Sequence, residues 1–189
     1  LILIFLILLN PSLSYSDDFD KWKRQFKQRA INEGISKTTV SAMLDSAIFL
    51  SDVIKFDRYQ PEFYEDTKTY ISKRSSIKRL RSGINLYQKD NSTINEVSTK
   101  FNVDKELLLA LMGIETNFGT YLGKMDIISS LSTLSFDKRR SDFFSSELLT
   151  LLRLVDNNII DPNNLFGSWA GAFGNFQFMP STIKNYAID

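Results

Sequence analysis

The chain has 189 residues, of which 43% are hydrophobic and 13% aromatic, enough for one compact domain with a buried core. Its formal net charge of +1 argues against general binding to nucleic acid or to an anionic membrane. The sequence contains no histidine and no cysteine, which excludes Ser–His and Cys–His nucleophile pairs, thiolate or histidine metal sites, and disulfides. Any catalysis must therefore use carboxylates, Lys, Tyr, Ser or Thr side chains, or a group of the substrate.

The first residues have the pattern of an export signal. Residues 1–9 form an unbroken apolar run, and Ser14 and Ser16 place small or short side chains where a signal peptidase requires them. The run is too short to span a bilayer comfortably. We therefore expect residues 1–16 to be a signal peptide that lacks its start, and residues 17–189 to be a periplasmic region. The alternative is an uncleaved membrane anchor, so any membrane contact would come from this segment alone.

Apolar residues recur at helical spacing along almost all of the remaining chain, and no alternating run of useful length predicts a strand. Capping residues indicate where helices start, and Gly or Pro where they stop. The sequence therefore predicts an all-α fold. The predicted helices run from Phe19 to a stop at Gly34, from Ser36, from Asn91 or Ser92, from Asp104 to Asn117, from Asp126, from Ser141 to Asn157 and from Pro180, with a loop around residues 59–61.

Basic residues crowd the segment between residues 65 and 90. A solvated helix face is the ordinary interpretation of such a charge run. The alternative is a contact surface for an anionic polymer. The residues concerned are Lys68, Lys73, Arg74, Lys78, Arg79 and Arg81.

One carboxylate directly follows the most apolar of the predicted helices. Every residue from 107 to 114 is apolar or Gly, which is typical of a helix buried on all sides. Glu115 comes next, and Leu108, Leu111 and Met112 share its face of the helix. Burial and the negative end of a helix both disfavour a charged carboxyl group, and a neutral one can protonate a leaving oxygen. The alternative is a structural Glu bonded to backbone amides or to an arginine.

Residues 167–180 combine three glycines with interleaved aromatic residues. Glycines at this spacing permit close approach of a ligand or of another backbone. Ser168 and Gln177 are polar positions in an otherwise apolar run, and a Gln amide can both donate to and accept from an acetamido group. Tight helix packing with incidental aromatic residues is the alternative.

Four segments of the chain match, in order and in spacing, the motifs of one known family. Residues 57–63 read D-R-Y-Q-P-E-F, residues 115–119 read E-T-N-F-G, and residues 131–136 read L-S-T-L-S-F. Residues 167–180 read G-S-W-A-G-A-F-G-N-F-Q-F-M-P. Together they resemble the lytic murein transglycosylase B family, over about residues 20–189. Four motifs in register are far more specific than any one of them.

The resemblance implies a lysozyme-like helical catalytic domain with a small accessory helical lobe. It also implies a calcium-binding loop just after residue 189, so we expect any structural calcium beyond this point, no metal ligands within the chain, and no cofactor for the chemistry. By the same resemblance Glu115 is the sole acid/base, and Ser168 and Gln177 contact the glycan. The resemblance also implies that Tyr70 lines the cleft and that Arg139 and Arg140 lie near the peptide stem. This chain has one residue fewer before the arginine pair than the family pattern.

The implied activity is cleavage of the β-1,4 bond between N-acetylmuramic acid and N-acetylglucosamine, without water, to give a 1,6-anhydro end. The implied partner is a peptidoglycan strand, and no nucleic acid is expected. One alternative is a muramidase-type hydrolase with a second carboxylate, for which Asp126, Asp137 and Asp142 are candidates. A second is a non-catalytic peptidoglycan-binding protein. A third, a nucleic-acid binder using residues 68–81, is disfavoured by the export signal.

Overall fold

The computed structural model describes residues 11–59 and 65–187, and helices dominate this part of the chain. Two strands of two residues each, β1 (Met125–Asp126) and β2 (Phe166–Gly167), pair antiparallel. The all-α prediction is confirmed. The helices are α1 (Pro11–Asn32), α2 (Lys37–Leu44), α3 (Ser51–Arg58), α4 (Thr67–Arg74), α5 (Ile77–Phe101), α6 (Lys105–Thr116), α7 (Ile127–Phe136), α8 (Ser141–Asp156) and α9 (Pro180–Tyr186), with a 3-10 turn at Pro162–Asn164.

The predicted signal segment lies largely outside the described residues, and its last part, residues 11–16, forms the start of α1. Of the loop predicted around residues 59–61, only Tyr59 is described. None of the described helices combines the length and the apolar character that crossing a membrane requires.

The predicted helix starts are confirmed at three residues. Ser36 and Asp126 each accept a hydrogen bond from the backbone N–H three residues later, at 3.2 and 2.7 Å. Pro180 occupies the first turn of α9, where its missing N–H costs nothing. Asp104 lies at the N-cap position of α6, but its side chain makes no capping hydrogen bond.

The helix predicted to begin at Asn91 or Ser92 is confirmed as the second of two helical stretches within α5. α5 continues through these residues, and the non-helical backbone at Asp90 (φ −120°, ψ 28°) marks a kink between two helical stretches. The capping signal in the sequence therefore marks a kink. Asn102 and Asn117 end α5 and α6 with φ of 51° and 50°, a left-handed conformation that Asn adopts more readily than most residues.

The hydrophobic core lies mainly between α7 and α8, with α1, α2 and α3 packed around them. Leu131 and Leu148 at its centre are fully buried. α7 also buries several small polar residues, and the hydroxyls of Ser130, Ser132 and Ser135 have no hydrogen-bond partner among the described residues. These short side chains allow close approach of the neighbouring elements, at the cost of unsatisfied hydroxyls.

α5 and α6 pair with each other and contribute no residue to that core, as far as the structure describes the chain. The ring of Phe118 fills the space between two glycines. A Cβ atom on Gly83 or Gly113 would lie 3.0 or 2.7 Å from that ring. Glycine at both positions therefore lets the two helices approach closely around one aromatic side chain.

The prediction that the helix carrying residues 107–114 is buried on all sides is wrong. Leu107, Leu111 and Ile114 are 52%, 43% and 48% exposed. Among the described elements, α6 packs chiefly on α5, and Thr116 in its last turn also bonds to Asn175, so solvent meets mainly the face that carries these three residues. An apolar sequence favours burial of a helix, but each face is buried only where another element packs against it.

Candidate active site

Glu115 lies in the last turn of α6, where its side chain is exposed. The burial predicted for it is therefore wrong, for the same reason as for the rest of α6. Its carboxylate has no hydrogen bond or ion pair within the described part of the chain, which removes the interpretation of a structurally fixed Glu there. It borders a cleft of about 460 Å³ lined by Ser76, Lys78, Arg79, Ser82, Ile114, Glu115, Thr116, Asn117 and Tyr121.

Glu115 is the only carboxylate among the described residues that line this cleft. The three aspartates considered as a second acid lie elsewhere. Asp126 accepts from the backbone of α7 at 2.7 Å, and Asp137 accepts from Arg58 at 2.8 Å. Asp142 lies in the first turn of α8. Among its described lining residues the cleft thus offers one acid/base and no second carboxylate.

The backbone turns sharply immediately after Glu115. Asn117, Phe118 and Gly119 have φ of 50°, 60° and 76°, three consecutive left-handed residues. The buried Thr116 hydroxyl stabilises this turn by accepting from the Gly119 N–H at 3.0 Å. Its oxygen also lies 2.8 Å from the Asn175 carbonyl, to which it donates. The turn therefore joins the end of α6 to the Gly-rich segment.

The segment between β2 and α9 is a folded loop and not a pair of packed helices. The Ser168 N–H donates to the Ala172 carbonyl at 2.8 Å, and the Ala172 N–H donates back to the Ser168 hydroxyl at 3.1 Å. A Cβ on Gly167 would lie 2.2 Å from the Ala172 carbonyl oxygen, and one on Gly171 would lie 2.4 Å from Leu131. The close approach expected of these glycines is thus confirmed.

Gln177 lies in this loop with φ of 49° and is half-buried. Its amide nitrogen donates to the carbonyls of Leu122 (3.1 Å) and Gly174 (3.0 Å). Both contacts use the NH₂ group, so within the described residues the amide oxygen accepts no hydrogen bond. The side chain is held in place with an acceptor free for a ligand. Because Leu122 follows the turn after Glu115, Gln177 lies on the same side of the molecule as that turn.

Tyr70 lies on α4, half-buried, with the Arg74 guanidinium 3.7 Å from its ring centre. Arg74 also lines an apolar groove of about 490 Å³ between α5 and α6, next to the Glu115 cleft. The two cavities share Ser76, Arg79 and Ile114. Tyr70 itself is absent from the described lining of the Glu115 cleft.

Arg139 and Arg140 bind a buried carboxylate of α3. Asp57 is 2% exposed and accepts from Arg139 at 2.8 Å and from Arg140 through its other oxygen. Burial raises the pKa of the Asp57 carboxyl, but the hydrogen bonds and charges of Arg140 and Arg139 outweigh it and hold that pKa below its usual range. Neither arginine lines the described part of the Glu115 cleft. The pair therefore ties α3 to the segment between α7 and α8.

Sequence reasoning missed part of the cleft wall. Lys78 and Arg79 were singled out only as members of a charge run, and Asn117 only as a motif position. Tyr121 carried no signal in the sequence, since it is an isolated aromatic residue in a loop. All four line the cleft with Glu115.

The described residues do not offer a calcium site. No group of three or more acidic residues that could hold a metal ion occurs among residues 11–59 and 65–187.

Comparison with known proteins shows the family of the chain. Residues 18–189 match the family model described as the transglycosylase SLT domain. The chain is 37% identical over 121 residues to membrane-bound lytic murein transglycosylase B of Escherichia coli, a match that covers 64% of this chain and 34% of that protein.

Solved structures of lytic transglycosylases are similar to this chain in fold and in sequence. SltB3 of Pseudomonas aeruginosa, in complex with NAG-NAM-pentapeptide, is 32% identical with a TM-score of 0.86, over 90% of this chain and 46% of that one. The Escherichia coli lytic transglycosylase Slt35, in complex with bulgecin A, is 32% identical with a TM-score of 0.78, over 88% of this chain and 54% of that one. Slt35 has also been solved in complex with calcium.

The chain spans 34% of the curated relative and about half of these solved chains. The matched region nevertheless includes the cleft, the turn after Glu115 and the Gly-rich loop. With the family model matched from residue 18 to residue 189, the chain belongs to the transglycosylase SLT domain family.

Proposed function

We propose that this protein is a lytic murein transglycosylase, a carbon–oxygen lyase that cleaves the β-1,4 bond between N-acetylmuramic acid and N-acetylglucosamine. The observation that carries the proposal is the unpaired Glu115 carboxylate, the only one lining the described cleft. A substrate-assisted route needs one acid/base, whereas the usual retaining or inverting hydrolase needs two carboxyl groups. The family membership and the complex of SltB3 with NAG-NAM-pentapeptide support the same substrate class.

In the first step protonated Glu115 donates its proton to the glycosidic oxygen, and the bond from that oxygen to C1 of the muramyl sugar breaks. The 2-acetamido group of the substrate, or a short-lived oxocarbenium ion, carries the developing positive charge. In the second step the Glu115 carboxylate accepts the proton of the C6 hydroxyl as that oxygen bonds to C1. The 1,6-anhydro ring closes, no water is consumed, and Glu115 is again protonated.

The remaining site residues act by binding. The free amide oxygen of Gln177 accepts from an acetamido N–H of the glycan. The Ser168 hydroxyl, which accepts from the Ala172 N–H, contacts the same strand. Tyr70 is assigned to the wall of the substrate cleft on the motif match and on its contact with Arg74, which lines the groove next to the Glu115 cleft. Arg139 and Arg140 bind the peptide stem in this proposal: each pairs with Asp57 through one nitrogen, and their side chains are 47% and 39% exposed.

The proposed location is the periplasm, where peptidoglycan is found. Residues 1–16 would direct export, and residues 17–189 would form the catalytic region, with glycan strands as the partner. A calcium ion, if the protein binds one, would be structural and would lie outside the described residues.

The test is digestion of purified peptidoglycan with the protein and with a Glu115→Gln variant, read by mass spectrometry. We expect anhydro-ended products whose rate of formation falls about 10²- to 10⁴-fold in the variant, the usual contribution of a general acid/base. Glu106→Gln is the matched control, because Glu106 lies on the same helix and does not line the Glu115 cleft.

Two other results would contradict the proposal and indicate a different function. Reducing-ended products would identify a hydrolase and direct attention to a second carboxylate. No product from a folded protein that binds peptidoglycan would identify a non-catalytic binding protein.

A further inference from the structure

Four of the basic residues between positions 65 and 90 form two pairs with different surroundings in the structure. Lys73 and Arg74 both pair with Glu65, and Arg74 also stacks on Tyr70. The hydrogen bond from Lys73 lowers the pKa of the Glu65 carboxyl, as expected for a carboxylate held between two cations. This first group is therefore partly neutralised within the protein and is a poor candidate for binding an anion.

The second group, Lys78 and Arg79, lies in the first turn of α5 and lines the Glu115 cleft. The Lys78 ammonium has no ion pair among the described residues. Arg79 donates from one nitrogen to the Arg74 carbonyl at 3.1 Å, which orients its guanidinium. Its other N–H groups have no partner within the described residues. The cleft wall thus presents two available cations and a single carboxylate, Glu115.

The cleft is also polar at its other positions. Ser76, Ser82 and Asn117 line it, and the last two are a half-buried hydroxyl and an exposed amide. An ammonium and a guanidinium in a polar cleft suit a carboxylate, which can accept two parallel hydrogen bonds from Arg and one from Lys. The sugar rings of the proposed substrate are neutral, so its carboxylates lie on the substituent of the muramyl residue.

We propose that Lys78 and Arg79 form a subsite for a carboxylate on the muramyl substituent. This inference rests on the proposed function, since it concerns the same substrate in the same cleft. The carboxylate has two possible sources. It is the lactyl carboxylate where the strand carries no peptide, and a carboxylate of the stem peptide where the lactyl group is amidated. The subsite distinguishes murein from a neutral glycan of the same sugar backbone.

The test is binding by isothermal titration calorimetry in the Glu115→Gln background, which keeps the glycan intact. Three probes are compared: peptide-free murein strands, peptide-bearing murein strands, and neutral N-acetylglucosamine oligomers. Lys78→Gln should weaken binding of murein about two- to fivefold, the scale of an exposed ion pair. It should leave the neutral oligomer unchanged, and the difference should shrink as salt is raised. Arg81→Gln, an exposed cation on α5 outside the cleft lining, should have no effect on any probe.

Arg79→Gln would also remove the hydrogen bond to the Arg74 carbonyl, so its effect on binding would have two causes. Lys78→Gln is therefore the variant that tests the subsite. If Lys78→Gln loses affinity for peptide-free strands alone, the bound group is the lactyl carboxylate. If it loses affinity for peptide-bearing strands alone, the bound group is a carboxylate of the stem peptide. Either result supports the subsite. Unchanged murein binding in Lys78→Gln, or an equal loss for the neutral oligomer, overturns it and leaves the proposed function intact. Absence of murein binding and cleavage in the parent protein would overturn both.

Discussion

The buried carboxylate of Asp57 is the most strongly anchored charge in the described residues. It lies almost fully buried on α3 and accepts from arginines on the segment between α7 and α8. Arg139 also donates to the Asp57 backbone carbonyl, so one side chain holds both the charge and the end of the helix. Removing this carboxylate would leave the guanidinium groups of Arg139 and Arg140 without their carboxylate partner, and Arg58 with Asp137 alone.

Asp57→Asn is therefore expected to lower the free energy of unfolding by about 2 kcal/mol. Breaking a fully buried ion pair costs about 3–5 kcal/mol, and the expected value is smaller because the Arg139 and Arg140 side chains are 47% and 39% exposed. Urea unfolding measures the change. Asp52→Asn, on the same helix in an exposed pair with Lys55, is the control and should cost about 0.5 kcal/mol or less.

The effect of Asp57→Asn should depend on pH in a defined direction. Because the pKa of Asp57 is lowered in the folded protein, its contribution is complete above the ordinary aspartate value of about 3.9 and is lost as the pH falls through the folded value. The difference in unfolding free energy between the two proteins should be constant from pH 7 to about pH 5 and shrink below about pH 4. A difference that stays constant down to about pH 3 would contradict a contribution from the carboxylate charge.

At the scale of the elements, glycines decide how closely the loops approach the helices. Gly123 has φ of +94°, and a Cβ there would lie 2.1 Å from the Gly167 carbonyl oxygen. This contact lies just before β1, which pairs with β2 and links the loop after α6 to the Gly-rich loop. Gly34 has nearly the same φ, +91°, with nothing within 4 Å of the corresponding position.

Alanine at these two positions separates backbone strain from steric conflict. Gly34→Ala should cost about 1 kcal/mol, the strain of a left-handed non-glycine residue. Gly123→Ala should cost at least about 3 kcal/mol, because backbone atoms on both sides must also move. Thermal and urea unfolding of both variants measure the difference. Equal losses would mean that the approach to Gly167 is not tight in solution.

At the scale of the whole molecule, the described chain has a well-buried part and a less buried part. The core is built on α7 and α8, whereas α5 and α6 pair with each other around Phe118 and leave apolar side chains exposed. The proposed acid/base therefore lies on the less buried part. Regions with few buried contacts open locally at lower free energy than a core.

Amide hydrogen exchange should reflect this division. We expect the amides of α7 and α8 to exchange slowest, near the rate set by global unfolding, and those of α5 and α6 to exchange faster through local opening. Exchange measured by mass spectrometry on the native protein checks this. Protection of residues 107–114 equal to that of residues 144–152 would contradict it and would indicate that α6 is covered in solution.

Local sequence patterns were sufficient for much of the fold. Helical periodicity and capping residues act within a few positions of one another, so Ser36, Asp126 and Pro180 mark real helix starts. Motif order identified the family, which the match over residues 18–189 confirms. The non-helical residue Asp90, directly before the predicted start at Asn91 or Ser92, is a further position where the local signal agrees with the structure.

By itself, the sequence determined that this protein is helical, which family it belongs to, and which carboxylate to examine. Only the tertiary structure decided the surroundings of each residue. It placed Glu115 in an open cleft, Arg139 and Arg140 on Asp57, and Lys78 and Arg79 in the lining of the same cleft as the acid. The physical reason is range: helix formation depends on neighbours within one or two turns, whereas burial, ion pairing and the lining of a cleft depend on elements that are distant in the chain.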